Sequence, residues 1–173
     1  MDVPGADDGL EGFDDFYTNE FRPLVRFVMR YGATFQEATD AVQEAFIEAA
    51  RKWPSISNRR AWMRRVAYLK FLRCVQVREL SVGEPPDTPG PLSPDARWEV
   101  DEQTEFVRAC FAKLPYAQRR AMSYHYDGFS HSEIATELGT SVEAVRQNVS
   151  RARKKLAELL EEVRNEEKEA DDD

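Results

Sequence analysis

Four side chains able to read base edges, Arg146, Gln147, Ser150 and Arg151, fall within the segment FSHSEIATELGTSVEAVRQNVSRARKK, residues 129–155. In a DNA major groove Arg pairs with guanine and Gln with adenine through two parallel hydrogen bonds, and Ser serves either base. Arg153, Lys154 and Lys155 follow directly and suit phosphate oxygens, which fix position without carrying sequence information. These groups act together only if one helix presents them on one side. If residues 142–155 are helical, Val142, Val145 and Val149 form an inner stripe, and Glu143, Arg146, Gln147, Ser150, Arg151, Lys154 and Lys155 are left outside.

The preceding residues supply the support such a helix needs. Ser130-x-x-Glu133 and Thr140-x-x-Glu143 each read as a capping box, so two short helices are expected in succession. Ile134, Ala135 and Leu138 form the inner face of the first, and Gly139 permits a left-handed residue at its end. This is the layout of a helix-turn-helix whose second helix enters the groove. A helix pair used for protein contacts would share the capping and the core stripe; the density of bases on the outer face speaks for DNA.

A second concentration of chemistry lies in residues 51–78, which carry nine bases (Arg51, Lys52, Arg59, Arg60, Arg64, Arg65, Lys70, Arg73, Arg78) and no acid. Ser57, Asn58, Arg59, Arg60, Arg64 and Arg65 can meet a nucleic-acid backbone, while Trp62 and Tyr68 offer flat faces to unpaired bases. Trp62 is also spaced with Val66 and Leu69 as a core residue would be, and both readings stand at this point. The net charge of −8 conceals this segregation. Residues 1–20 carry seven acids and no base, residues 79–105 eight acids and one base, and residues 156–173 nine acids and two bases. Two basic modules thus alternate with three acidic segments, and a polyanion partner suits the basic ones.

The expected architecture is all-α, with two small helical domains joined by a flexible linker. Residues 1–12 read as a disordered acidic terminus. From Phe13 to residue 78 apolar residues recur at helical spacing, broken only at Pro23 and Pro54. Thr34-x-x-Glu37 opens a helix with Ala38, Ala41, Val42, Ala45, Phe46 and Ala49 on one face, and a third helix starts at Arg59. Residues 79–97 hold five prolines and little apolar material, hence the linker. A second domain spans 98–160, with Pro115 at a helix start, and residues 161–173 read as a disordered acidic tail. Cys74 and Cys110, each in an apolar helical pattern, are expected to be buried thiols. His125 and His131 have no cysteines nearby to complete a zinc set. No glycine-rich phosphate loop, nucleophile motif or metal set is present, so neither an enzyme nor a cofactor is expected. No apolar run reaches the ~20 residues of a membrane span, and the start lacks a basic signal-peptide region, so membrane insertion is not expected and the location is expected to be cytoplasmic.

Four motifs together resemble one family. Leu114-Pro-Tyr-Ala-Gln-Arg-Arg is similar to an LPxxxR helix start, and Ser132-Glu-Ile-Ala-Thr-Glu-Leu-Gly with Val145-Arg-Gln-Asn-Val-Ser-Arg-Ala-Arg to a recognition unit, both of region 4 in extracytoplasmic-function sigma factors. Asp40-Ala-Val-Gln-Glu-Ala-Phe46 resembles the DxVQExF segment of region 2, and Ala61-Trp-Met-Arg-Arg-Val-Ala67 its AWLxxIA segment, in the same order. The resemblance implies a sigma factor that directs RNA polymerase to promoters. It implies core-polymerase contact, at the beta-prime clamp helices, for Asp40, Gln43, Glu44 and Phe46, and a beta-flap contact for region 4. It implies capture of a flipped minus-ten base at about residues 55–60, minus-thirty-five recognition by residues 141–155, and control by an anti-sigma factor. The family continues AWLxxIA with Arg-Asn, where this chain has Tyr68-Leu69. The rival reading is a two-domain regulator binding a palindromic operator as a dimer.

Overall fold

The computed structural model describes residues 9–80 and 101–171, and every described element is helical. The chain divides into two compact units, the first built on α1 (Phe13–Met29), α2 (Phe35–Lys52) and α3 (Arg59–Leu80), the second on α4 (Glu102–Ala112), α5 (Tyr116–Tyr126), α6 (His131–Leu138) and α7 (Val142–Asp171).

In the first unit, α2 begins at a complete capping box. Glu37 N donates to Thr34 Oγ1 at 3.2 Å and Thr34 N donates to Glu37 Oε2 at 2.8 Å, which satisfies two otherwise orphaned amides. The face expected from the sequence, Ala38, Ala41, Val42, Ala45, Phe46 and Ala49, is buried throughout. Its small residues let α1 and α3 approach closely, and Phe46 meets the rings of Phe13, Tyr17 and Phe21 at centroid distances of 5.9, 4.7 and 6.1 Å. Such edge-on and offset contacts add to the stabilisation from area burial alone. Pro23 does not break α1 as expected; the helix runs through it, losing one backbone hydrogen bond on a helix whose inner face is held by Leu24, Val25, Phe27 and Val28. Trp53 and Pro54 do end α2, in a single 3₁₀ turn from Trp53 to Ser55.

Order begins before Phe13. Trp53 Nε1 donates to the Glu11 carbonyl at 2.8 Å, so residues 9–12, expected to be disordered, are tied to the first unit by a buried indole. Similarly, α3 continues to Leu80, and the remainder of the expected linker lies outside the described residues.

In the second unit Leu114-Pro115 separates α4 from α5. Arg119 explains why an arginine follows at this spacing. Its guanidinium donates to the carbonyls of Phe111, Ala112 and Leu114 at 2.9, 2.8 and 3.0 Å, closing the end of α4 and fixing the turn. Ser130 and Glu133 form the expected capping box of α6, and Gly139 ends it at φ 63°, a conformation that costs glycine little. The cap of α7 differs from expectation. Ser141, not Thr140, caps it: Ala144 N donates to Ser141 Oγ at 3.1 Å, and with Ala144 at the third helical position no reciprocal box forms. The expected disordered tail is also a correction, because α7 continues to Asp171. Glu, Lys, Arg and Ala dominate residues 157–171, and good helix formers propagate a helix that packing has already nucleated.

Candidate nucleic-acid interface

The helix-turn-helix of α6 and α7 is held by an apolar seam in which Ile134, Ala135, Val145, Val149 and Ala152 are buried. Ala135 leaves room for the two helices to cross. Sequestering that stripe forces the opposite side outward, and Glu143, Arg146, Gln147, Ser150, Arg151, Arg153, Lys154 and Lys155 are all exposed or nearly so. The structure brings every base-reading and phosphate candidate of this helix onto one accessible surface. Glu143 organises its leading end, accepting from Gln147 Nε2 at 3.4 Å and lying 3.8 Å from Arg146 Nη1. Contacts between such exposed partners are weak and yield readily to a stronger acceptor.

The basic helix α3 is more mixed. Asn58 Oδ1 accepts from Ala61 N at 3.2 Å and starts the helix, leaving Ser57 and Asn58 exposed at its lip. Arg59 lies over the Trp53 ring at 4.0 Å, a cation–π contact that pins the turn to α3. Arg60, about half exposed, reaches Glu20 at 3.2 Å. Trp62 is half-buried, intermediate between its two readings, and Arg65 is exposed. Two residues of the set do not belong on this surface. Arg64 is 1% exposed, turned inward to Glu20 Oε2 at 3.1 Å and the Arg60 carbonyl at 3.1 Å, so it braces the fold and cannot meet a phosphate. Tyr68 is buried at 9% exposure, and its ring offers no face to a base.

Phe46 requires the same correction. It is the hub of the α1–α2 aromatic cluster at 3% exposure, so the outer face of α2 consists of Asp40, Gln43 and Glu44, with Ile47 as its exposed apolar residue. Its spacing signals this: Phe46 stands four residues after Val42 and three before Ala49, on the core stripe, and Ile47 is one residue further round. A shallow depression beside Ile47 is lined by Glu44, Glu48, Arg51, Lys52 and Lys70. There Lys52 and Lys70 both reach Glu48, at 2.9 and 3.0 Å, and their hydrogen bonds hold its carboxyl below the ordinary range.

Cys74 is exposed rather than buried; partial burial and then Glu44, Asp40 and Glu37 of α2 push its thiol up, against reactivity. Cys110 is buried as expected. Sequence reasoning missed Glu20, which holds both Arg60 and Arg64, and Arg119. The motif arginine was visible at position 119, whereas nothing local marks Glu20.

No described helix is long and apolar enough to cross a membrane, and no cluster of three metal-ligating side chains occurs among the described residues. The fold and this surface define a helical protein that presents a helix-turn-helix to nucleic acid. The Sigma-70 region 2 model matches residues 16–77, and the Sigma-70 region 4 model residues 107–156. RNA polymerase sigma factor NccH of Alcaligenes xylosoxydans xylosoxydans is 30% identical over 159 residues, covering 81% of this chain and 82% of that protein. ECF RNA polymerase sigma factor SigM of Mycobacterium tuberculosis is 28% identical over 152 residues, 86% of this chain and 76% of SigM. The sigma factor RpoE of Bartonella quintana, solved in complex with the anti-sigma factor NepR, superposes with TM-score 0.66 at 25% identity, covering 87% of this chain and 98% of RpoE. CnrH, solved with the cytosolic domain of CnrY, shares the fold at TM-score 0.64 and 22% identity, over 90% of this chain and 92% of CnrH. The chain belongs to the extracytoplasmic-function group of sigma-70 RNA polymerase sigma factors. It functions in transcription initiation, in a family of non-enzymatic regulatory proteins.

Proposed function

We propose that the two units divide promoter recognition between them, each as one domain. The second unit reads the minus-thirty-five element, with Arg146, Gln147, Ser150 and Arg151 on base edges and Arg153, Lys154 and Lys155 on phosphate. The first takes the minus-ten element at Ser57, Asn58, Arg59, Arg60, Trp62 and Arg65, and docks on core polymerase through Asp40, Gln43 and Glu44, with Ile47 taking the place given to Phe46. The observation that carries this reading is the outer face of α7, where five bases stand exposed against one acid. A face of that charge on a capped, apolar-backed helix fits a major groove.

The acidic segments oppose phosphate, so the free protein binds promoter duplex weakly, and polymerase docking positions both units. Catalysis resides in the polymerase, and the protein acts in the cytoplasm with it. An anti-sigma factor that covers both units would regulate it. The test is run-off transcription on a promoter library with sigma-free core polymerase, comparing the protein with a Gln43→Ala/Glu44→Ala variant. Promoter-dependent transcripts lost in the variant are expected. No transcripts, with tight binding of a palindromic duplex by the protein alone, would establish the dimeric regulator instead.

A further inference from the structure

Beside the reading face of α7, three basic side chains from three helices converge, with no acid paired to them among the described residues. His125 lies at the end of α5, His131 at the start of α6 and Arg153 on α7. Arg153 Nη2 lies 2.7 Å from His125 Nε2, and the two imidazole centroids are 5.5 Å apart, inclined at 33°. A guanidinium only donates, so Nε2 must accept, and His125 is neutral with its proton on Nδ1. That Nδ1 is buried without a hydrogen-bond partner, as is Nε2 of His131. No carboxylate lies within ion-pairing distance of Arg153 among the described residues, and Glu133, two residues from His131, is engaged at the Ser130 cap. The charged groups that act on His125 are Arg153 from α7 and His131 from α6; after partial burial, these hold its proton affinity below the ordinary range. Arg153 is thus an exposed cation whose partner at this surface is a neutral imidazole and not a carboxylate, and an anion fits there.

We propose that His125, His131 and Arg153 form a backbone-phosphate site on the flank of the recognition helix, where promoter DNA docks with uptake of a proton from solvent by His125. The site rests on the reading of α7 as the minus-thirty-five helix and extends it to α5 and α6. Without phosphate, a second positive charge beside Arg153 is unfavourable, so His125 stays neutral. A phosphate oxygen that draws the Arg153 guanidinium off His125 Nε2 frees that nitrogen to take up a proton, reverses the local sign and favours the imidazolium, whose new Nε2–H then donates a charge-assisted hydrogen bond to the phosphate. Binding and protonation are therefore linked, and affinity rises as the pH falls through the histidine range.

The experiment measures affinity of the reconstituted holoenzyme for the promoter duplex recovered by run-off selection, by fluorescence anisotropy between pH 7.5 and 6.0. The wild type is expected to bind about threefold to tenfold more tightly at pH 6.0, since each proton taken up contributes at most tenfold per pH unit. In His125→Gln/His131→Gln that gain disappears. A gain that persists in the double variant, or a flat wild-type profile, overturns the site. A second measurement needs no variant: duplexes with single neutral methylphosphonates along the minus-thirty-five backbone are scanned with the wild-type holoenzyme. One position is expected to abolish the pH dependence, and equal pH dependence at every position overturns the proposal. Arg146→Ala/Arg151→Ala at pH 7.5 tests the underlying reading separately. If that variant binds like wild type, α7 does not read the element; if it binds weakly while the histidine variant keeps its pH dependence, the phosphate site alone falls.

Discussion

Replacing Glu20 by Gln removes a carboxylate that holds both Arg60 and Arg64 at the start of α3. The two bridges are unequal. Arg64 is almost wholly enclosed, with its side chain 1% exposed, whereas Arg60 is 48% exposed and Glu20 16%. Removing one partner of a buried pair costs about 3–5 kcal/mol, because a desolvated charge is left uncompensated. Here Arg64 keeps its bond to the Arg60 carbonyl, and the amide oxygen of Gln still accepts, so about 2–3 kcal/mol is expected. The exposed bridge is worth under about 1 kcal/mol, and Arg60→Ala should cost no more than that. Urea unfolding followed by the fluorescence of Trp53 and Trp62, in a Trp98→Phe background, reports the first unit. With a urea slope of roughly 1 kcal/mol/M for a unit of this size, Glu20→Gln lowers the midpoint by about 2 M. Glu20→Leu/Arg64→Met, which removes both charges, should recover most of that loss. If Arg60→Ala lowers the midpoint as far as Glu20→Gln, the inward bridge does not carry the effect and the reasoning fails.

Phe46→Ala opens the centre of an aromatic cluster and is expected to destabilise the first unit by about 3–5 kcal/mol, measured by the same unfolding assay, while Asp40→Ala and Glu44→Ala leave the midpoint nearly unchanged and lower polymerase affinity. Ser141→Ala should cost about 1 kcal/mol and Thr140→Ala a few tenths, compared by thermal melts followed by far-ultraviolet circular dichroism; equal costs would return the cap to Thr140. His125 has its proton affinity depressed in the folded state, so its contribution to stability is present above the unfolded value of 6.5 and is lost as the pH falls through and below it. The DNA-free protein therefore melts lower at pH 5.5 than at 7.5, and His125→Gln narrows the difference.

Most of the fold is legible in the sequence because capping and periodicity agree. Thr34 with Glu37, Ser130 with Glu133, and Gly139 all occupy the positions their chemistry requires. The outer face of α7 is legible for the same reason, since Val145 and Val149 leave its polar residues no inward alternative. What misleads is residue type taken without direction. Arg64 sits among eight other bases in residues 51–78, yet a glutamate 44 residues earlier draws it inside. Phe46 belongs to a motif whose neighbours face out, but its own position falls on the α2 core stripe. At 140–143 two hydroxyl residues stand together, and a one-residue shift decides which of them caps. His125 and His131 look like an incomplete metal pair because Arg153, the third member of the cluster, is 28 residues away from His125.

The continuation of α7 to Asp171 makes the second helix of the helix-turn-helix one end of a rod of 30 residues, about 45 Å long at helical rise. Its near part carries Arg146, Arg151, Arg153, Lys154 and Lys155, and from Glu158 onward acids prevail. While the helix persists, the acidic end cannot double back to neutralise the basic one. The rod is thus a permanent charge lever with opposite signs at its two ends. In the field of a DNA duplex such a lever experiences a torque that turns the basic end inward and the acidic end away before any contact is made. The tail would then set the approach angle of the helix, acting on the rate of productive encounter more than on the strength of the final grip.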